Sequence, residues 1–386
     1  MTVNADSSGT TATGNITNTN KLETVTVTTD TASGTNTLGT IADADSLTSI
    51  SLTAVNANAT IGQIGTDATN NNAEVLTSIS ASATGTGVVA TLGAIYLDST
   101  VDSNTDNALT LTTTANAGAQ VVLGVVDNTY GTITETAVSN STVNIDHDGA
   151  MTAAGFTINI SGGGDTEYDG KIDSSGAVAV TATGSGNVLF GDIDADGSSA
   201  SVSVDASAMT GVMKATATNS TVAATMTGGS GADSLVGGST NDSLTGGAGA
   251  DNITGGAGAD DITGGADNDT FTGGGGNDSF RVDSGSDTIT DLATGDDLIV
   301  SSGATATANN VANFVADNDT TNSGTATINA DSGGSTITMT NSNSGAYTLS
   351  GDAGVDNLTG GSGADILNGA GGNDVLIGGS GADTIN

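Results

Sequence analysis

The chain has 386 residues and carries 43 Asp and Glu against 4 Lys and Arg, a formal charge of −39. That balance excludes nucleic acid and anionic membrane surfaces as partners and favours divalent cations. Cysteine is absent, so there are neither disulfides nor thiolate metal sites, and with aromatics at 2 % a core of large rings is excluded too.

The opening MTVNADSSGT lacks the basic and apolar segments of a Sec-type signal peptide. No apolar run approaches the roughly 20 residues that span a bilayer. Residues 1–145 then alternate two kinds of strand. One reads LETVTV from Leu22, LTSISL from Leu47, LTSISA from Leu76 and LTLTTT from Leu109. The other reads LGTIAD from Leu38, IGQIGTD from Ile61, LGAIYLD from Leu92 and LGVVD from Leu123, which places glycines at 39, 62, 93 and 124. β-Branched residues alternating with Thr and Ser suit a pleated surface. Their return at these intervals predicts an all-β, elongated parallel β-solenoid, each turn stacked on the last. A row of β-sandwich repeats is the alternative, because alternation does not fix strand direction.

Across 146–227 the repeat fades, while strands persist between the acidic segments IDHDG (145–149), GGGDTEYDGKID (162–173) and GDIDADG (191–197). Six unbroken nonapeptides follow from Gly228, and a closing segment ending at Val300 completes a first array, 228–300. An insert, 301–350, contains TATINADSGGSTITMT, which predicts a β-hairpin. Four more nonapeptides fill 351–386.

The nonapeptide reads G-G-x-G-x-D-x-U-x. Its glycines allow a tight turn, and its last three residues form a short strand with the middle side chain inward. Those inward residues are Leu235, Leu244, Ile253, Ile262, Phe271 and Phe280, then Leu358, Leu367, Leu376 and Ile385. Two nonapeptides make an 18-residue coil, so the aspartates fall into columns. At a strand spacing of about 4.8 Å, neighbouring carboxylates repel by about 1 kcal/mol in water and about 3–4 kcal/mol at an effective dielectric near 20. A hard cation between coils reverses that sign, and Ca2+ accepts six to eight oxygens in flexible geometry.

The expected ligands are Asp233, Asp242, Asp251, Asp260, Asp269 and Asp278 in the first array and Asp356, Asp365, Asp374 and Asp383 in the second. Turn carbonyls of Gly228, Gly237, Gly246, Gly255, Gly264 and Gly273, and of Gly360, Gly369 and Gly378, complete the set. Pairing each aspartate with its counterpart one coil on predicts at least six Ca2+ ions. Thr240 and Asp267 replace glycine at position four, and Asp352 and Ala370 at position two, which predicts weaker sites there.

Residues 228–300 and 351–386 resemble the RTX repeats of Gram-negative bacterial proteins exported by type I secretion. The Thr- and Ala-rich, Pro-free remainder resembles the layer-forming region of RTX-type S-layer proteins. The resemblance implies an extracellular, Ca2+-folded β-roll whose ligands are the repeat aspartates and backbone carbonyls. It also implies a C-terminal secretion signal. The chain stops at Asn386 on a repeat boundary, so the second roll is expected to continue beyond it.

DIDADG (192–197) matches the opening of an EF-hand loop, but its twelfth position is Ser203 rather than Glu. Asp192, Asp194 and Asp196 are therefore a candidate calcium loop between strands, with an ordinary solvated turn as the competing reading. Asp165, Asp169 and Asp173 form a looser cluster, and His147 is read as an exposed turn residue. Neither H-E-x-x-H nor G-x-S-x-G occurs, and Arg281, three lysines and four tyrosines offer little to bind uronates or stack sugars. The expectation is a non-enzymatic, secreted, Ca2+-dependent structural protein that self-assembles into a bacterial cell-surface layer. Its partners are copies of itself in a lattice or filament, and cell-surface polysaccharide. The alternatives are an RTX adhesin or biofilm-matrix protein, or the non-catalytic part of an RTX polysaccharide-modifying enzyme.

Overall fold

The computed structural model describes residues 2–5, 11–16, 22–30, 35–42, 46–65, 76–96, 109–123, 126–127, 132–139, 143–147, 153–197, 200–342 and 345–386. The chain divides into two compact units, Met1–Val222 and Ala223–Asn386. Within each unit every strand pairing among the described residues is parallel, so both are β-solenoids and the sandwich alternative falls.

In the first unit the strands Thr24–Thr29, Ser49–Val55, Ser78–Thr84 and Leu109–Asn116 stack in one sheet. Thr24 pairs with Ser49, Ser49 with Ser78 and Ser78 with Thr110, without a bulge. Val25, Ile50, Ile79 and Leu111 form an inward column, each at most 2 % exposed. Three outward columns hold only hydroxyls: Thr24, Thr26 and Thr28, then Ser49, Ser51 and Thr53, then Ser78, Ser80 and Ser82, then Thr110, Thr112 and Thr114; the next outward position carries Val55, Thr84 and Asn116. The last strand enters one residue out of step with the sequence alignment. Leu111, not Thr112, lies beside Ile79.

The glycine-bearing strands stack as the sequence predicts. Ile41 bridges Ile64, and Ile64 bridges Ile95. Beside them, a methyl group on Gly62 would meet Gly39 at 3.0 Å, and one on Gly93 would meet Gly62 at 2.9 Å, so the column closes only on glycine. Gly124 lies outside the described residues. The solenoid does not stop near 145. Ala153–Gly162, Thr166–Gly184 and Val202–Met209 continue one sheet in parallel, and Tyr168 stacks on Phe190 with ring centroids 4.5 Å apart.

The second unit has narrower coils, and one core column runs through it. Phe271 pairs with Ile289, Ile289 with Ala308, Ala308 with Ile328, Ile328 with Leu349 and Leu349 with Leu367. The two nonapeptide arrays are thus joined by 301–350, which corrects the hairpin reading of that insert. Thr325–Ala330 pairs in parallel with Thr305–Val311 and Tyr347–Ser350, while Thr336–Thr338 belongs to another sheet with Asn313–Val315 and Asn357–Thr359. The Gly333–Gly334 turn is a corner of the coil. Corner and hairpin turns use the same residues, because both need a chain reversal that glycine permits. Eight of the ten inward nonapeptide residues are fully buried, from Leu235 to Leu367. Leu376 is half-buried and Ile385 is 53 % exposed, since the last coil is stacked on one side only.

Candidate metal centre

Six of the ten nonapeptide turns bring two kinds of oxygen to one place. There the first-position glycine lies against the carboxylate of its own repeat and the carbonyl of the glycine one coil on. A methyl group on Gly246 would strike Asp251 Oδ2 and come within 2.8 Å of the Gly264 carbonyl oxygen. One on Gly255 would strike Asp260 Oδ2 and come within 2.7 Å of the Gly273 oxygen. The same convergence recurs at Gly228, Gly237, Gly351 and Gly360. Only a residue without Cβ leaves this cradle open.

The aspartates are almost wholly withdrawn from solvent: Asp233, Asp242, Asp251, Asp260, Asp269 and Asp278 are each at most 3 % exposed. Their two oxygens have different roles. Oδ1 accepts the backbone N–H of the aspartate one coil earlier, as from Asp233 to Asp251 at 2.7 Å and from Asp242 to Asp260 at 2.8 Å. Oδ2 of Asp251, Asp260 and Asp269 is buried with no hydrogen-bond partner. A buried, unpaired carboxylate oxygen facing a carbonyl oxygen is unfavourable unless a cation sits between them.

The electrostatics agree. Burial, aided by the neighbouring Asp233, Asp269 and Asp267, pushes the Asp251 carboxyl up to about 7. Burial, with Asp242 and Asp278, pushes Asp260 up to about 6. Asp242, Asp269 and Asp278 are raised by burial as well. Without a counter-ion the columns resist ionising. An all-oxygen set of carboxylate and carbonyl ligands fits Ca2+.

The family model for the RTX calcium-binding nonapeptide repeat (4 copies) matches residues 227–262, 254–289 and 350–385. These segments are RTX calcium-binding repeats. Such repeats bind Ca2+ and imply a protein of a secreted type. No curated protein and no solved structure matches the chain.

The first RTX array extends further than its glycines show. Asp287 and Asp296 occupy the next two column positions, exposed by only 1 % and 4 %, and accept the N–H groups of Asp269 at 3.0 Å and Asp278 at 2.9 Å. Burial raises Asp287 to about 7 and Asp296 to about 6. The sequence reading missed both as site residues because the Gly-Gly pair is absent there, yet the spacing from Asp269 and Asp278 carries the signal. Asp291 caps the array by accepting the N–H groups of Gly273 at 2.9 Å and Gly274 at 2.8 Å. In the second RTX array, Asp356 and Asp365 are fully buried and accept from Ser335 at 2.7 Å and Tyr347 at 2.8 Å. Asp374 and Asp383 are half-buried and accept from Asp356 and Asp365, each at 3.1 Å. The departures from consensus keep the turn: Asp267 has φ 77° and Ala370 φ 63°.

Asp192 and Asp194 lie on a strand, and Asp196 directly follows its end. Val188–Ala195 is a strand paired with Thr166–Gly184, setting Asp192 beside Lys171. Lys171 Nζ forms an ion pair with Asp194, and Asp192 Oδ2 accepts from Asn219 at 2.6 Å. A lysine supplies charge where the loop reading placed calcium. The other acidic segment is also largely strand. Asp165 Oδ1 accepts the Asn187 N–H at 2.9 Å, while the side chains of Asp169 and Asp173 lie outside the described residues. His147 ends the strand Val143–His147 instead of lying in a turn. A further acidic group, Asp297, Asp317 and Asp319, places three carboxylate oxygens within 4.8 Å of one another, and burial with Asp317 alongside raises Asp297 to about 7.

Proposed function

We propose that the chain is a non-enzymatic structural protein that assembles with copies of itself on a bacterial surface in the presence of Ca2+. The buried, partly unpaired aspartate columns of the second unit carry this reading. They set at least six sites where Ca2+ changes a repulsive stack into a rigid one, at Gly228, Gly237, Gly246, Gly255, Gly351 and Gly360. A charge of −39 keeps free copies apart until cations neutralise it. Extracellular Ca2+ then acts as a signal that the chain is outside the cell, completing its fold and its assembly together.

Sedimentation and negative-stain microscopy test the proposal. Ordered sheets or filaments are expected in millimolar Ca2+, single chains in chelator, and single chains in NaCl of equal ionic strength. Monodisperse protein in Ca2+ that binds a glycan or host surface instead supports an adhesin.

A further inference from the structure

We infer that the hydroxyl-covered sheet of the first unit is the face through which one copy meets another. The inference rests on the self-assembly proposed above and names its contact. Four consecutive strands expose three columns of Ser and Thr, with the middle column Thr26, Ser51, Ser80 and Thr112. No charged side chain occupies any of these positions, in a chain with 43 acidic residues. Elsewhere the acidic groups that make copies repel are spread over turns and coils. Here two copies can approach without opposing carboxylates.

A Ser or Thr hydroxyl is both donor and acceptor, so such a face is complementary to itself. Several of these hydroxyls already bond along the columns, Ser49 to Thr24 at 3.1 Å and Ser82 to Thr53 at 3.4 Å, which fixes their orientation. The columns also share one repeat, set by strand spacing and side-chain alternation. A second copy carries the same repeat, with the same hydroxyls at the same positions, by identity. Register is unbroken from Thr24 to Asn116, while bulges interrupt the sheet further on, at Ala153/Gly155 and Thr181/Thr183. The patch covers on the order of 400 Å2 per copy from strand and side-chain spacing. A single pairing therefore buries about 800 Å2, below the roughly 1,200 Å2 of a stable isolated dimer. Such a contact holds only when many copies engage together, as in a layer.

The test uses the full chain in Ca2+. Ser51→Glu, Ser80→Glu and Thr112→Glu are combined to place carboxylates on the middle column. A control combines Thr37→Glu, Thr60→Glu and Thr91→Glu, an outward column of the same unit's other sheet. Circular dichroism and Ca2+ stoichiometry confirm that both variants fold. The first variant is expected to raise the protein concentration at which assembly begins by about tenfold or more, and the control by much less. Because the chain has no cysteine, Ser51→Cys and Ser80→Cys each add a unique thiol. A short bis-maleimide should link copies through them in Ca2+ and not in chelator.

If the wild type never assembles, the proposed function falls and takes this inference with it. If the wild type assembles and both Glu variants behave alike, or neither thiol cross-links, the face is not the contact and only this inference falls. Retained assembly with lost binding to an insoluble crystalline polysaccharide assigns the face to that partner, and also overturns the inference.

Discussion

The two units solve one problem, how to close a stack of short parallel strands, by different means. The first relies on apolar side chains. Val25, Ile50, Ile79 and Leu111 in one wall and Ile41, Ile64 and Ile95 in the other fill coils whose matched residues stand 23 to 32 apart. The nonapeptide arrays of the second use coils of 18 residues, with a single inward apolar side chain per nonapeptide. Leu244, Ile253 or Phe271 fills that core, and the corners are left to glycine and aspartate. The wide coil stabilises itself by burial. The narrow one encloses a line of carboxylates in which Oδ2 of Asp251, Asp260, Asp269 and Asp287 has no hydrogen-bond partner in the protein, and so its stability depends on the medium.

Removing Ca2+ breaks this comparison most severely. Each site absent from the unfolded chain adds about 2.7 kcal/mol at a free Ca2+ concentration 100 times its dissociation constant. Chelation should therefore shift the melting of the second unit by tens of degrees. A calorimetric scan is expected to show one transition that moves with Ca2+ and one that does not. Substitution in the apolar wall gives the converse. Leu111→Ala should cost about 2–5 kcal/mol, equally with and without Ca2+, as read from urea denaturation of the stationary transition.

Asp251→Asn should reverse its sign with the medium. Asn keeps an acceptor for the Asp233 N–H but loses the charge. In Ca2+ the variant is expected to lose at least one ion by titration calorimetry and about 2 kcal/mol of stability, the scale of a lost charge-assisted ligand. In chelator at pH 8 it should melt above the wild type, because it removes a carboxylate that burial and its neighbours disfavour.

The raised carboxyls make the same point through pH. Asp251 and Asp287 near 7, and Asp260 and Asp296 near 6, all lie above the unfolded value of about 3.9. In chelator the folded columns bind more protons than the unfolded chain. Their contribution is complete below pH ~4 and is lost as pH rises through 6 and 7. Denaturation midpoints in chelator should fall across that window. Ca2+ affinity should rise over the same range, since each ion displaces protons.

How much of this was legible in the sequence depended on whether a position repeats. Asp233 to Asp278 recur every nine residues, and the columns, their coil length and their ion followed from that beat. Gly39, Gly62 and Gly93 likewise revealed a stack, because only glycine fits a backbone pressed against its neighbour. Where the beat lacks its glycines, the reading failed. Asp287 and Asp296 fall in what the sequence presents as a closing segment, and Gly333–Gly334 suits a hairpin equally well, because a turn does not say which strands it joins. Asp194 looked like a calcium ligand because its partner, Lys171, is adjacent only through pairing of distant strands. The use of Oδ1 as acceptor for a peptide N–H was also hidden, since it depends on how one coil settles over the next.

The smallest effect sharpens the comparison within an array. Ala370 stands at φ 63°, where its counterparts Gly265 and Gly274 lie at 107° and 101°. Ala370→Gly should relieve a left-handed strain of about 1 kcal/mol, raising the midpoint of the Ca2+-dependent transition by a few degrees and leaving the other unmoved.

Hydrogen exchange on the full chain, with and without Ca2+, tests the central claim most directly. It reads both units in one molecule. The account predicts that chelator removes protection from 228–300 and 351–386 while the amides of Thr24–Thr29, Ser49–Val55 and Ser78–Thr84 keep theirs. Equal protection of the nonapeptide amides in both conditions, or loss of protection in both units together, would contradict it.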